Sequence, residues 1–101
     1  MLRRVDTVEL DPAHADEYVG MLRAEMVPLM EEAGARFEGT MRSAEGLGEP
    51  VWVTTTWGCD DYESWNVIRR NLVLDPRWYA CAERLHSLRR SGSRRFYRSA
   101  P

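Results

Sequence analysis

Asp-Pro occurs twice in this chain, at Asp11-Pro12 and at Asp75-Pro76, and each dipeptide opens a stretch of helical period. Aspartate accepts hydrogen bonds from the free N–H groups of a first helical turn, and proline at the first helical position has no N–H to leave unpaired. With two helix starts pinned, the rest of the chain sorts by residue pattern. Leu2 to Leu10 is rich in Val, Thr and Leu and reads as a strand. After Asp11, the residues Val19, Leu22, Met26, Leu29, Met30 and Ala33 recur at helical spacing, one buried stripe that Gly34 is placed to end. Pro28 lies inside that run and removes the bond to the carbonyl of Ala24, which predicts a kink or break.

Arg36–Ser43 and Val51–Gly58 are strand-like, and the separator Glu45–Pro50, with two glycines and a proline, predicts a hairpin loop. The second run, Val-Trp-Val-Thr-Thr-Thr-Trp, alternates imperfectly, which predicts a central strand covered on both faces. Asp60 and Glu63 have capping-box spacing before a helix that turns Tyr62, Trp65, Ile68 and Leu72 inward. From Pro76, the residues Trp78, Cys81, Ala82, Leu85 and Leu88 share one side of a further helix. Ser91-Gly92-Ser93 is expected to break it, leaving Arg94–Ser99 as a last strand.

The order β-α-β-β-α(α)-β is that of an α+β, ferredoxin-like antiparallel sheet with its helices on one face. Met41, Val53, Trp57 or Phe96 are expected on the other face, where they need cover. A second copy, sheet against sheet, supplies it as a two-fold dimer.

At 101 residues and 44% hydrophobic composition, residues 1–101 are expected to form a single domain with a packed core, not a disordered segment. No window approaches the apolar length of a membrane span, and Met1 to Asp6 contains no apolar signal core. Cys59 and Cys81 form no multi-bridge framework and read as free thiols of a reducing cytoplasm. Charge is split along the chain. Residues 1–63 hold 14 acids and 5 arginines, a balance of −9, while residues 64–101 hold 2 acids and 9 arginines, a balance of +7. There is no lysine. With no helix-turn-helix or RNP-like pattern, the basic end is a weak nucleic-acid footprint. Its arginines Arg89, Arg90, Arg94, Arg95 and Arg98 are expected to pair with acids of the first helix such as Glu25, Glu31 or Glu32, within a subunit or across a two-fold.

Four local patterns, taken in order, resemble the NIPSNAP family. Val27-Pro28-Leu29-Met30-Glu31-Glu32-Ala33-Gly34-Ala35 is similar to that family's P-L-L-E-x-x-G helix end, and Gly39-Thr40-Met41-Arg42 to its glycine-led second strand. Val51 to Trp57 resembles its V-x-H-L-W strand, and Asp75-Pro76-Arg77-Trp78 its D-P-x-W helix start. The resemblance spans about Val5 to Phe96 and implies a dimeric α+β barrel. That superfamily includes cofactor-independent monooxygenases, cyclases and isomerases as well as ligand-binding modules, so it implies an architecture more than a reaction. The family's strand histidine falls on Thr55, and its first-strand arginine and tyrosine on Asp6 and Val8.

Candidate chemistry follows. Neither His14 nor His86 has a second ligand at metal spacing, so no metal or cofactor is expected. His14 is the histidine placed nearest a pocket mouth. Asp60 and Asp61 beside Cys59 make it a poor nucleophile, and Cys81 sits on an apolar stripe. Four tryptophans in so short a chain exceed what packing needs, which predicts an aromatic-walled cleft for a planar ligand. Trp57 and Trp65 are the leading wall residues, with Trp52 and Thr55 beside them. Arg42 and Tyr97, polar residues on strands, are candidates to stabilise enolate charge on a bound substrate. Two functions fit these residues. One is a homodimer acting without cofactor on an aromatic or polyketide-like metabolite of secondary metabolism, as monooxygenase, cyclase or isomerase. The other is a non-catalytic metabolite-binding or complex-stabilising module.

Overall fold

The computed structural model describes residues 1–44 and 49–100; the expected hairpin loop falls largely on 45–48, outside the described residues. The elements run β1 (Leu2–Leu10), α1 (Pro12–Met21), a π-helical turn (Leu22–Met26), α2 (Val27–Ala33), β2 (Arg36–Arg42), β3 (Val51–Cys59), α3 (Tyr62–Val73), α4 (Pro76–Leu88) and β4 (Arg89–Arg98). The four strands form one antiparallel sheet in the order β2-β3-β1-β4, so the fold is α+β and ferredoxin-like.

Both Asp-Pro signals act as read. Asp11 accepts from the Ala13 N–H at 2.9 Å, and Asp75 from the Arg77 N–H at 2.9 Å. The cap of α3 lies one residue later than its capping-box spacing suggests: Asp61, not Asp60, accepts from the Ser64 N–H, at 2.8 Å. Pro28 produces neither a sharp break nor a new helix. With no N–H to offer Ala24, the helix inserts one wide turn upstream, in which the Val27 N–H reaches back five residues to the Leu22 carbonyl. Gly34 closes α2 in the left-handed region, at φ 113°.

Strand parity sets the two faces of the sheet. Leu2, Val8 and Leu10 of β1 and Val51, Val53, Trp57 and Cys59 of β3 turn towards the helices and are buried. They meet Leu22, Met26, Leu29, Met30 and Ala33 from the α1–α2 run, Ile68 and Leu72 from α3, and Cys81 and Leu85 from α4. Each such side chain contributes about 1.5–3 kcal/mol on burial. An extra residue, Glu38, bulges β2 between Phe37 and Gly39, and Gly39 takes the positive φ, 126°, that this turn of backbone needs.

Two expectations are corrected by this register. Val53 and Trp57 face the helices, as does Phe96, which pairs with Arg4 and stacks on Trp65 at 5.5 Å; of the four residues expected on the open face, only Met41 is there. Ser91-Gly92-Ser93 does not break α4. The helix ends at Leu88 and β4 starts at Arg89, because pairing along the whole of β1 satisfies more backbone than another helical turn. β3 is internal to the sheet but covered on one face in a single chain. Its other face exposes Trp52 at 41%.

The charge split resolves within one chain. Arg94 bonds Asp6 at 3.0 Å and Arg90 bonds Asp11 at 2.8 Å, as the β4–β1 pairing brings the two charge blocks together. The acids of the first helical run are met by helix arginines instead: Glu25 by Arg84 and Glu32 by Arg77. Within one chain, then, Arg90 and Arg94 pair with β1 and its cap and not with Glu25, Glu31 or Glu32, while Arg89 bonds His86 and Arg98 lies over the Tyr62 ring. Among the described residues no helix is long and apolar enough to cross a membrane.

Candidate functional site

A cavity of about 440 Å³ lies between the sheet and the helices. Its floor is Arg4, Asp6 and Val8 of β1 with Thr55 and Trp57 of β3, and its roof is Tyr18, Leu22 and Met26 from the α1 side with Trp78, Ala82, Leu85 and His86 from α4. Arg89, Gly92, Ser93 and Arg94 complete the lining, and the exposure of His86, Gly92, Ser93 and Arg94 marks its open side. Each boundary has a sequence cause. The π-helical turn forced by Pro28 begins at Leu22 and ends at Met26, so both roof residues belong to the widened turn. Gly92 leaves a gap in the inward row of β4, where a Cβ would meet the Arg89 guanidinium and lie 3.3 Å from Val8.

The polar end of the floor is a row of charges. Arg4 is 8% exposed, and its Nη2 donates to Asp6 Oδ2 at 2.8 Å. Arg94 Nε donates to the other oxygen, Oδ1, at 3.0 Å. The Arg4 guanidinium carbon lies over the ring of Trp65, 4.8 Å from its centroid, a cation–π contact. Burial pulls the Arg4 pKa down, and the charge of Asp6 opposes that shift. Arg4 Nε has no hydrogen-bond partner.

Two further groups define the chemistry available. Tyr18 is 7% exposed, and burial first, then the charge of Asp6, pushes its pKa up to about 12. It is a neutral hydroxyl donor, not a base. His86 Nδ1 lies 3.1 Å from Arg89 Nε and 2.8 Å from Nη2. Since a guanidinium cannot accept, Nδ1 must carry the lone pair, and the proton of the neutral ring sits on Nε2. No group of ≥ 3 His, Cys, Asp or Glu side chains among the described residues could hold a metal ion.

Thr55 and Trp57 line this cavity, and Trp65 reaches it only through Arg4. The other sequence candidates stand elsewhere. Arg42 is at the β2 edge, bonded to Asp16 of α1; His14 is exposed on α1; Trp52 and Tyr97 lie on the open face of the sheet, with Tyr97 51% exposed. Cys59 and Cys81 are buried, and burial raises the pKa of both thiols.

Sequence reasoning missed Arg4 and Tyr18, and it read Asp6, Trp78 and His86 without placing them in the site. For Arg4 and Asp6 a signal existed: Leu2, Val8 and Leu10 set the inward parity of β1, and both share it. For Tyr18, Trp78 and His86 only the packing of α1 and α4 over one stretch of sheet brings them together.

No protein-family model and no curated protein matches the chain. Solved structures do match it in fold. An uncharacterized NIPSNAP domain protein from Burkholderia xenovorans superposes with a TM-score of 0.83 at 23% identity, over 99% of this chain and 95% of that one. A NIPSNAP family protein from Agrobacterium tumefaciens gives 0.81 at 21% identity, over 98% and 85%. SnoaB, a cofactor-independent oxygenase from Streptomyces nogalater, gives 0.64 at 16% identity, over 99% and 93%. The fold is therefore the one these NIPSNAP domain proteins and this oxygenase share.

Proposed function

We propose that the protein is a NIPSNAP-like homodimer that binds a small planar metabolite, aromatic or polyketide-like, in the cavity between sheet and helices. The observation that carries this reading is the wall of the cavity: Trp57 and Trp78 with Val8, Leu22, Met26 and Leu85 form an apolar, aromatic enclosure of about 440 Å³, within the range of small-molecule sites. Half of the lining is polar, with Arg4 and Asp6 on the floor and His86 and Arg89 on the opposite side, groups able to orient a flat ligand. Thr55 and Tyr18 offer hydroxyls to a ligand oxygen, and Trp57 and Trp78 offer ring faces.

If the ligand is turned over, the reaction needs no cofactor. The acidic proton of the ligand would pass to water at the open side of the cavity, and hydroxyl donors at Tyr18 and Thr55 would stabilise the enolate or phenolate oxygen left behind. In the oxygenase form that anion supplies electrons to O₂, and in the cyclase or isomerase form it reprotonates at carbon. SnoaB, similar in fold, is a cofactor-independent oxygenase. A second reading, a non-catalytic binding module, is favoured by a separate observation: the lining offers no free base. Asp6 is held by two arginines, His86 Nδ1 by Arg89, and Tyr18 stays protonated. The test is a thermal-shift screen with polycyclic phenols and β-ketoacyl compounds, followed by O₂ uptake and product analysis on each hit. Binding with turnover supports the enzyme, binding alone the module, and no shift with any planar compound overturns both.

Homodimerisation rests on the open sheet face. Val5, Thr7, Thr54 and Thr56 are half-buried there, ringed by Trp52 and by Met41 at 71% exposed. A second copy of the same face is the self-complementary cover a two-fold dimer requires.

A further inference from the structure

We infer that the ligand of this cavity is an anion, a planar aromatic carboxylate, and that Arg4 is the residue that anchors it. The inference rests on the reading of the cavity as a planar-ligand site and adds its charge class. Three observations carry it. First, Arg4 is more than nine-tenths buried, yet among the described residues it uses one of the five N–H bonds a guanidinium offers, to Asp6, and its Nε has no partner there. A buried unpaired donor of a charged group is costly enough that native proteins rarely leave one without a partner.

Second, the lining is unbalanced in charge. It holds three arginines, Arg4, Arg89 and Arg94, against a single carboxylate, Asp6. Asp6 is shared between Arg4 and Arg94, one oxygen each, and Arg89 is spent on the lone pair of His86, which neutralises nothing. A ligand carboxylate offsets part of that excess, where a neutral ligand leaves it whole.

Third, Arg4 is held in place before any ligand arrives. Trp65 holds the guanidinium by a cation–π contact, 4.8 Å from its carbon to the ring centroid, and Asp6 holds one Nη. A preset planar donor fork suits a carboxylate, which accepts two parallel bonds, and loses little entropy in making them. Trp65 and Asp6 are thus positioning residues for Arg4. The ligand's ring then extends from the polar end of the floor towards Trp57 and Trp78.

The test uses a matched pair of probes, naphthalene-2-carboxylate and naphthalene-2-carboxamide, which share shape and ring and differ in charge. Binding is measured by calorimetry to the whole protein at low and high salt. The expected result is that the carboxylate binds about tenfold or more tightly than the amide, consistent with one charge-assisted hydrogen-bonded contact. Arg4→Gln should remove that preference, and Arg4→Lys should restore part of it. Equal binding of the two probes by the native protein overturns the anion inference and leaves the planar-ligand reading standing. That comparison needs no variant, so it holds even where Arg4→Gln fails to fold. A preference that survives Arg4→Gln moves the anchor to Arg89 or Arg94 and overturns the assignment. Binding of neither probe overturns both readings together.

Discussion

Replacing Asp6 by asparagine tests the charge row on the cavity floor most directly. The Arg4 side chain is 9% exposed and that of Asp6 21%, while that of Arg94 is 56% exposed. Losing the carboxylate charge strands Arg4 in a low-dielectric site with no counter-ion, a change that costs about 3–5 kcal/mol for a fully buried pair. Asp6 retains some contact with solvent, so about 2–4 kcal/mol is the appropriate range here. In a domain of this size each kcal/mol moves Tm by roughly 4–8 °C, which puts the expected drop at about 8–32 °C. Arg94→Gln removes the other partner of Asp6, but an exposed one, and should cost no more than about 1 kcal/mol.

Both variants remove one partner of the same charge row, Asp6→Asn taking the net charge from −2 to −1 and Arg94→Gln to −3, so the comparison turns on how buried the stranded partner is. Unfolding followed by tryptophan fluorescence and circular dichroism, without ligand, gives both values. A third variant, Arg4→Met with Asp6→Leu, replaces the buried pair by apolar side chains of similar reach and should recover most of the loss. Equal costs for Asp6→Asn and Arg94→Gln would refute the reasoning, because they would mean that the burial of Arg4 does not set the penalty. A double variant as unstable as Asp6→Asn alone would refute it independently.

The remaining predictions concern separate parts of the molecule. Tyr18 titrates in the folded chain at about 12 against 10 when exposed, so its contribution is fully present below pH 10 and is lost as pH rises from 10 through 12. Tyr18→Phe should flatten alkaline unfolding over that window and remove one late phenolate transition at 295 nm. Trp52→Arg places a cation beside Glu9 on the open face, leaving one chain folded while barring a second; light scattering should report 11.7 kDa instead of twice that mass. Met30 is fully buried, and Met30→Ala should cost about 2–5 kcal/mol in urea unfolding. Cys59 and Cys81, at 6% and 2% exposed, should react with a thiol reagent only slowly until denaturant is added.

Features that depend on local chemistry were legible in the sequence. Asp11, Asp75 and Gly34 mark element ends through bonds and dihedrals formed within a few residues, and the strand and helix order follows from period. What depends on distant partners was not. Ser91-Gly92-Ser93 has the composition of a breaker, and only the unmet backbone groups of β1 across from it make it a strand. Trp57 and Phe96 could sit on either face until the pairing partner set their parity. Arg42 and Tyr97 looked like site residues because polar side chains on strands are conspicuous, yet an edge position and the open face account for both.

The residues that violate local rules gather around one place. Pro28 breaks helix hydrogen bonding, and the wide turn it forces runs from Leu22 to Met26 in the roof of the cavity. Arg4 and Asp6 occupy inward positions where β1 otherwise puts Leu and Val, and both are in the floor. Gly92 weakens the strand that holds it, and it stands at the open side. Thr55 is 3% exposed in the row of Val51, Val53 and Trp57, a hydroxyl where a further apolar residue would pack better. Each feature costs stability by itself: a lost helical bond, a desolvated charge, a missing side chain, a buried hydroxyl. Such costs scattered at random would read as tolerated imperfection. Converging on the lining of one cavity, they set local preference against packing where the proposed ligand would sit, the place such conflicts are expected in a binding protein.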